Sequence, residues 1–352
     1  MFLLMNLIYQ IRAKNFCDQC LHPALVSYIN KRLGIEIVDD ILNSAQSIGY
    51  ASRSFFQFTV LKELLEEGNV DSYLEYLGAY EKFVKNWIQE QIFDYYAENE
   101  CLKKLEEDIL SAIVKKIIET LEKLKHQDIE TVSEFLDSFC REMQKELVIS
   151  KDSLLGVQFK NATVPAQFSA YVENFLPDLQ QQIIFEYDIL DLQSKLSKLP
   201  VSPQDEIFKR VFGCGKQCPF CKIPCEAGGS AHQEHFATVH RPKGLGMCRE
   251  KESEKLVYDI CSTAVASNTE FKNRDTNGEY YPYKDYRAYY PDWCIQPDPS
   301  INASDYWKFV LNKYNRDFAR IYEAKPADLP ADWKNITEEQ ALKALKDIYN
   351  MR

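Results

Sequence analysis

Glycine and proline are scarce in this sequence, at 12 and 14 of 352 residues, which excludes collagen-like and low-complexity classes. No apolar run reaches the 18 or more residues of a transmembrane helix. Basic side chains are outnumbered, with 42 Lys and Arg against 53 Asp and Glu, for a net charge of −11. This balance argues against a chain that wraps nucleic acid or an anionic membrane with its whole surface.

Phosphate-binding and hydrolase motifs are also absent. Gly-Lys occurs once, at Gly215-Lys216, where Gln217 replaces the Ser or Thr of a P-loop and Arg210 replaces its first glycine. Neither Gly-x-Gly-x-x-Gly nor Gly-x-Ser-x-Gly is present. We therefore predict that this chain does not bind GTP, and we assign it no catalytic residues.

Residues 1–200 have the pattern of long amphipathic helices. The clearest lies within 102–124, where Ile109, Ile113 and Ile117 belong to an apolar stripe backed by Lys and Glu. Similar patterns occupy 53–67, 70–98, 128–148 and 166–198. The predicted fold is mainly α: an elongated helical bundle or stalk over 1–200, followed by a small zinc-stabilised α+β module.

Pro200 and Pro203 mark the predicted boundary of a second domain, 201–352. This domain is predicted to contain helices at 251–266, 303–322 and 337–349, the last with a capping box at Thr337 to Gln340. Asn277-Gly278 predicts a small hairpin. The aromatic-rich segment 280–293 is interpreted as a small core, with an exposed interface as the alternative.

A metal site is the strongest chemical signal. Seven of the sixteen Cys and His residues lie within 214–240, a window of 27 residues. Cys218-Pro-Phe-Cys221 forms a Cys-x2-Cys knuckle, and His235 and His240 follow at a spacing close to that of a Cys2His2 finger. We predict one structural zinc ion on these four residues. Three further residues could replace a ligand or form a second site: Cys214, Cys225 and His232.

Nucleic-acid reading and zinc catalysis have weaker support. The residues between Cys221 and His235 lack the Phe and Leu that pack a standard finger, and 213–250 carries five basic and three acidic side chains. The string His232-Gln-Glu-His235 does not match the His-Glu-x-x-His motif of zinc peptidases. An odd cysteine count and an isolated cluster indicate a reducing compartment.

Several strings resemble the C-terminal region of the interferon-induced very large GTPases: CGKQCPFCKIPCEAGG, EHFATVHRPKGLG, YKDYRAYYPDW, DYWKFV and KPADLPADWKNIT. The similarity is dense from Gly213 to about Tyr349. It implies a cytosolic and nuclear family, related to dynamin-like GTPases, with a GTP-binding domain upstream of such a region. Five residues match the family's Cys/His motif: Cys218, Cys221, Cys225, His235 and His240.

The resulting functional hypothesis is a non-catalytic helical and zinc-binding region that mediates assembly or protein partner contacts of a very large GTPase-like protein. The GTP-binding domain is expected to be absent from this chain, which is either a fragment or a truncated product. The alternative is a zinc-finger adaptor for nucleic acid or ubiquitin-pathway partners. The expected location is cytoplasmic, and also nuclear.

Overall fold

The computed structural model describes residues 2–44, 52–97, 101–157, 164–229 and 231–351. The chain is mainly helical, with a small strand-containing region on its C-terminal side, which confirms the predicted fold class. It divides into a first unit, Met1–Ile41 with Glu90–Glu206, and a second unit, Leu42–Gln89 with Ile207–Arg352. The division between Glu206 and Ile207 lies near the predicted domain boundary at Pro200. Residues 42–89, however, group with the C-terminal part of the chain.

The element bounds are as follows. In the N-terminal half they are α1 Phe2–Phe16, a π-helical turn Cys17–Leu21, α2 His22–Asn43, α3 Arg53–Glu67, α4 Val70–Gly78, α5 Tyr80–Ala97, α6 Cys101–Lys125, α7 Val132–Met143 and α8 Lys151–Val157. They continue with α9 Pro165–Asp188, α10 Leu192–Ser197, α11 Pro203–Val211, β1 His235–Phe236, α12 Cys261–Val265, β2 Glu270–Phe271, β3 Tyr281–Pro282, β4 Trp293–Cys294, α13 Asp305–Ile321 and α14 Glu338–Tyr349. Short 3-10 helices occupy Lys243–Gly246, Tyr283–Ala288 and Ala331–Asn335.

The apolar stripe of α6 builds much of the first unit's core. Ile113, Ile117 and Leu121 are each at most 1% exposed, and α6 packs on α7 and α9. The predicted stripe at 102–124 is therefore confirmed. The first unit also contains a buried ion pair, in which Lys195 Nζ lies 2.8 Å from a carboxylate oxygen of Glu106. Burial raises the pKa of Glu106, and the hydrogen bond from Lys195 opposes that shift.

The second unit joins α3 and α4 to the C-terminal helices. Helix α14 packs on both α3 and α13. The hydroxyl of Tyr306 in α13 donates a 2.7 Å hydrogen bond to the carbonyl of Leu61 in α3, and it lies 3.1 Å from the Tyr73 hydroxyl of α4. The predicted capping box is present, because Thr337 and Gln340 exchange side-chain to backbone hydrogen bonds. These contacts explain why 42–89 groups with the C-terminal residues.

Two predictions about the C-terminal region have different outcomes. The hairpin is confirmed: β2 pairs antiparallel with β3, and Asn277 and Gly278 have φ values of +51° and +79°. The helix predicted over 251–266 is wrong for its first ten residues, since α12 begins at Cys261. Backbone hydrogen bonds to distant residues replace the helical ones, with Leu256 N donating to Lys325 O and Val257 N to Cys248 O.

Within the described ranges, none of the helices combines the length and apolar composition needed to cross a bilayer.

Candidate metal centres

A tight hairpin over residues 216–225 positions the first set of cysteines. Cys218 N donates to Ile223 O at 2.8 Å, and Cys225 N donates to Lys216 O at 2.8 Å. Between them, Lys222 N donates to Cys218 O, and Lys222 has a φ of +60°. The Cys-x2-Cys knuckle thus lies at the tip of the hairpin, and its two thiols face the same side.

The inner cluster consists of Cys218, Cys221, His240 and Cys261. Their four ligand atoms lie within 4.8 Å of one another, and all four residues are at most 1% exposed. The Sγ atoms of Cys218 and Cys261 are 3.8 Å apart, and Cys221 Sγ is 3.2 Å from His240 Nδ1. A sulfur separation of 3.8 Å is far longer than a disulfide bond, and all eleven cysteines are free.

The inner thiols have opposed pKa shifts. Burial raises the pKa of Cys218 and of Cys261 well above the ordinary thiol value. Burial acts in the same direction on Cys221, but hydrogen bonds from the other two thiols and the neighbouring His240 hold its pKa well below that value. The three thiols therefore interact closely with one another and with His240, and the thiolate is the form in which cysteine binds a metal ion.

The outer cluster consists of Cys214, Cys225, His232 and His235, whose ligand atoms also lie within 4.8 Å of one another. Cys214 Sγ is 3.6 Å from His235 Nδ1, and Cys225 Sγ is 3.5 Å from His232 Nε2. The two imidazole nitrogens, His232 Nε2 and His235 Nδ1, are 3.1 Å apart. Unlike the inner cluster, this one is partly exposed, through Cys214 and His232.

A carboxylate lies near one histidine of the outer cluster. His235 lies in β1, which pairs in parallel with β4, and its backbone N donates to Asp292 O at 2.6 Å. Its Nε2 lies 3.6 Å from Asp292 Oδ2, while its Nδ1 faces the cluster. A carboxylate on the far nitrogen is the usual arrangement around a metal-binding histidine, because it fixes the ring and its tautomer.

The two clusters interleave along the chain. The segment Cys214–Cys225 supplies four cysteines, of which Cys214 and Cys225 belong to the outer cluster and the two knuckle residues to the inner one. The segment 232–261 supplies the other four ligands in the same proportion, two to each cluster. Each cluster is therefore assembled from two ligands on either side of Gly228-Gly229.

The structure separates the four residues that the sequence joined in one site. Cys218, Cys221 and His240 lie together, whereas His235 lies in the outer cluster with the three spare candidates Cys214, Cys225 and His232. Sequence spacing missed Cys261, because it lies 21 residues beyond His240 and has no neighbouring Cys or His. The sequence carried no local signal for this ligand, because the helix predicted over 251–266 placed Cys261 in its interior.

Aromatic side chains cover the knuckle. Phe220, between the two knuckle cysteines, is 1% exposed, and its ring centroid lies 4.8 Å from those of Phe271 and Tyr283. Tyr286 and Trp293 are also buried, which confirms the interpretation of 280–293 as a small core. Gly246 approaches the Phe220 carbonyl so closely that a Cβ atom at this position would overlap it. The knuckle is held by packing as well as by its hairpin.

Residues 214–345 match the family model described as "Interferon-induced very large GTPase 1, C-terminal domain", and this range contains all eight cluster residues. The chain is 27% identical over 339 residues to the human protein Interferon-induced very large GTPase 1, and 26% identical over 344 residues to its mouse counterpart. Each alignment covers 93% of this chain. The resemblance to the C-terminal region of the interferon-induced very large GTPases is confirmed. No solved structure matches the chain.

The similarity to the very large GTPases extends beyond the Cys/His region into the helices before it, since the alignments span almost the whole chain. The chain covers 14% of the length of each of these relatives. An activity named for the whole relative is therefore not transferred to these residues by the alignment.

Proposed function

We propose that this chain is a non-catalytic, zinc-stabilised C-terminal module of a very large GTPase-like protein, and that it mediates assembly or protein partner contacts. The supporting observation is the geometry of the two clusters. Zinc bound tetrahedrally at about 2.3 Å from sulfur and about 2.05 Å from nitrogen separates ligand atoms by about 3.8 Å for S and S, 3.6 Å for S and N, and 3.3 Å for N and N.

Four of the five separations between ligand atoms lie within about 0.2 Å of these values, and the inner S to N distance is about 0.4 Å shorter. The inner cluster has S to S and S to N distances of 3.8 and 3.2 Å. The outer cluster has S to N distances of 3.6 and 3.5 Å and an N to N distance of 3.1 Å. We therefore assign one zinc ion to each cluster, in place of a single ion on Cys218, Cys221, His235 and His240.

Both zinc ions are assigned a structural role. Four protein ligands complete a tetrahedron and leave no position for a substrate or water, which a catalytic zinc requires. Structural zinc contributes on the order of 10 kcal/mol to the folding of small modules. The segment between Gly213 and Gly246 has few large apolar side chains and needs such a contribution to offset its ordering entropy.

Exposed apolar side chains of the first unit support a contact role. Leu7 and Ile11 in α1 are each 50% exposed, and in and after α9 Phe185 and Ile189 are 65% and 67% exposed. Both pairs have i, i+4 spacing, which places their members on one helix face. Neighbouring exposed apolar groups are typical of protein interaction surfaces.

The nucleic-acid alternative has less support from charge. A cleft of about 720 Å³ beside the knuckle is lined by six basic and four acidic side chains. A net charge of +2 is small for a surface that must bind several phosphates. We also place the protein in a reducing compartment, the cytoplasm and by resemblance the nucleus, because its eleven cysteines are free.

Metal analysis and sedimentation of the purified chain test the proposal. We expect two zinc ions per chain and concentration-dependent association, which Leu7→Glu combined with Ile11→Glu should abolish. Gln10→Glu, on an exposed residue of the same helix, is the matched control. A chain without stoichiometric metal would contradict the zinc assignment. Association that survives in the double variant would remove α1 as the contact surface.

Absence of GTP binding is tested separately. Because no P-loop is present to hold the β- and γ-phosphates, a fluorescent GTP analogue should not bind the isolated chain. Binding at micromolar concentration would refute this part of the proposal.

A further inference from the structure

The two cysteines of the outer cluster are held close together by the hairpin. Cys225 N donates a hydrogen bond to Lys216 O, and Lys216 N donates one to Cys214 Sγ at 3.3 Å, so a single residue connects the two cysteines. Their Sγ atoms lie within 4.8 Å of each other. A disulfide requires an S to S distance of about 2.05 Å. Gly213 and Gly215 flank Cys214, and glycine is the residue that least restricts the backbone movement needed to close this gap.

Solvent access distinguishes the outer cluster from the inner one. A surface cavity of about 410 Å³ is lined in part by Cys214, His232 and His235, so a small molecule can reach the outer ligands. The inner cysteines are also close together, with Cys218 Sγ 3.8 Å from Cys261 Sγ, but both residues are 0% exposed. Because a thiol is oxidised only where the oxidant reaches it, exposure and not proximity determines which pair reacts.

The charge of this cavity favours an uncharged oxidant. Its charged lining residues are Glu81 and Lys216, which have opposite signs. A net charge of zero does not raise the local concentration of an ionic oxidant. Hydrogen peroxide is small and neutral, and its entry needs no such attraction.

We propose that Cys214 is a site of oxidation by hydrogen peroxide, and that its disulfide with Cys225 releases the outer zinc ion while the inner ion stays bound. This inference rests on the proposed function, which assigns zinc to the outer cluster. Once both sulfurs are in the disulfide, His232 and His235 are the ligands that remain of the four, and two imidazoles do not complete a tetrahedral site. The inner cluster shares no ligand with the outer one and keeps its full set.

The oxidation takes two steps and consumes one molecule of peroxide. In the first step, the Cys214 thiolate attacks one peroxide oxygen and the O–O bond breaks, which leaves a sulfenic acid and a hydroxide that takes a proton from water. In the second step, the Cys225 thiolate attacks the sulfenic sulfur, the S–O bond breaks, and the second hydroxide leaves and is protonated in the same way. The two sulfurs together lose two electrons, which the peroxide gains. In a reducing compartment, a dithiol reverses the disulfide by thiol–disulfide exchange, so this state is transient.

Peroxide titration of the zinc-loaded full chain tests the inference, with a zinc-sensitive dye to follow the metal and peptide mass mapping to locate the disulfide. Zinc content is measured before oxidation, which tests the zinc assignment separately. We expect release of one of two ions together with a Cys214–Cys225 disulfide, and recovery of both ions after dithiothreitol and added zinc. Release of neither ion, release of both together, or release without this disulfide would overturn the inference and leave the zinc assignment intact. A chain without zinc before oxidation would contradict both.

Variants separate the Cys214–Cys225 pair from the other cysteines of the second unit. Cys214→Asp replaces one thiol by a carboxylate, which also binds zinc, so it should keep its ions at a peroxide concentration that releases one from the wild type. Cys248→Ser and Cys294→Ser alter half-buried cysteines outside both clusters and should release one ion as the wild type does. Release from Cys214→Asp at the wild-type rate, or loss of release in either control, would refute the assignment of this pair. The disulfide mapped in the wild type decides the assignment even if Cys214→Asp binds one ion only.

Discussion

Replacing Cys261 by alanine distinguishes two interleaved zinc ions from a single ion on the knuckle and two histidines. Cys261 is 0% exposed and its Sγ lies 3.8 Å from Cys218 Sγ, so alanine removes one of four inner ligands. If structural zinc contributes about 10–16 kcal/mol through four ligands, each ligand accounts for about 2.5–4 kcal/mol. The variant should therefore bind its inner ion about 100- to 1,000-fold more weakly, while the outer ion is retained.

Competitive titration with a chromophoric chelator measures both affinities, and elemental analysis after dialysis gives the stoichiometry. After dialysis against a chelator that competes with the weakened site, we expect two ions in the wild type and one in Cys261→Ala. His235→Ala should also retain one ion, which is the inner one, because His235 belongs to the outer cluster. Cys294→Ala, a half-buried cysteine of the same unit that belongs to neither cluster, is the control and should keep both ions.

Hydrogen exchange locates the structural effect of Cys261→Ala. Protection should fall over the aromatic core around Phe220 and persist in α6 of the first unit, since the two lie in separate compact units. Retention of both ions with wild-type affinity in Cys261→Ala would contradict the inner site. Loss of all bound metal in His235→Ala would contradict two separate sites, because a single shared ion would then explain the data.

Burial also determines the expected effects of three further changes. Phe220→Ala should destabilise the second unit by about 3–5 kcal/mol in urea, whereas Phe236→Ala, at 43% exposed, should change it by less than about 1 kcal/mol; equal effects would contradict the packing. Ile117→Asp should cost several kcal/mol of the first unit's stability, because it buries an unpaired carboxylate, and Lys115→Asp, whose side chain is 80% exposed, should be nearly neutral by circular dichroism. Burial raises the pKa of Cys17 to about 12 from 9.0, so at pH 8.5 its thiolate fraction is about 1,000-fold below that of an ordinary thiol. Cys17 should therefore be alkylated slowly in the native chain, and rapid alkylation would refute this.

The elements that local pattern determines were predictable from the sequence. The stripe of α6, the capping box of α14 and the Asn277-Gly278 hairpin each depend on residues within a few positions of one another. The grouping of 42–89 with the C-terminal helices was not predictable in this way. It rests on contacts such as that of Tyr306 with Leu61, which are 245 positions apart and leave no periodic signal.

The candidate metal site shows the same limit. The concentration of Cys and His in 214–240 predicted a site, and Cys218, Cys221 and His240 do lie together. The histidines are divided between the two clusters. His235 lies in β1, which pairs in parallel with β4, and its Nδ1 faces the outer cluster. That pairing joins residues 58 positions apart, so the spacing of Cys and His along the sequence could not predict it.

The interleaved arrangement changes what a break in this polypeptide would do. A cut between Cys225 and His232 leaves each cluster with two ligands on one fragment and two on the other. With a zinc ion in each cluster, as proposed above, the fragments would be joined by two metal bridges in addition to the packing of α14 on α3, and cleavage alone would not separate them. Neither cluster can accordingly be transplanted alone into another protein as a contiguous stretch, since any stretch that contains one also carries ligands of the other.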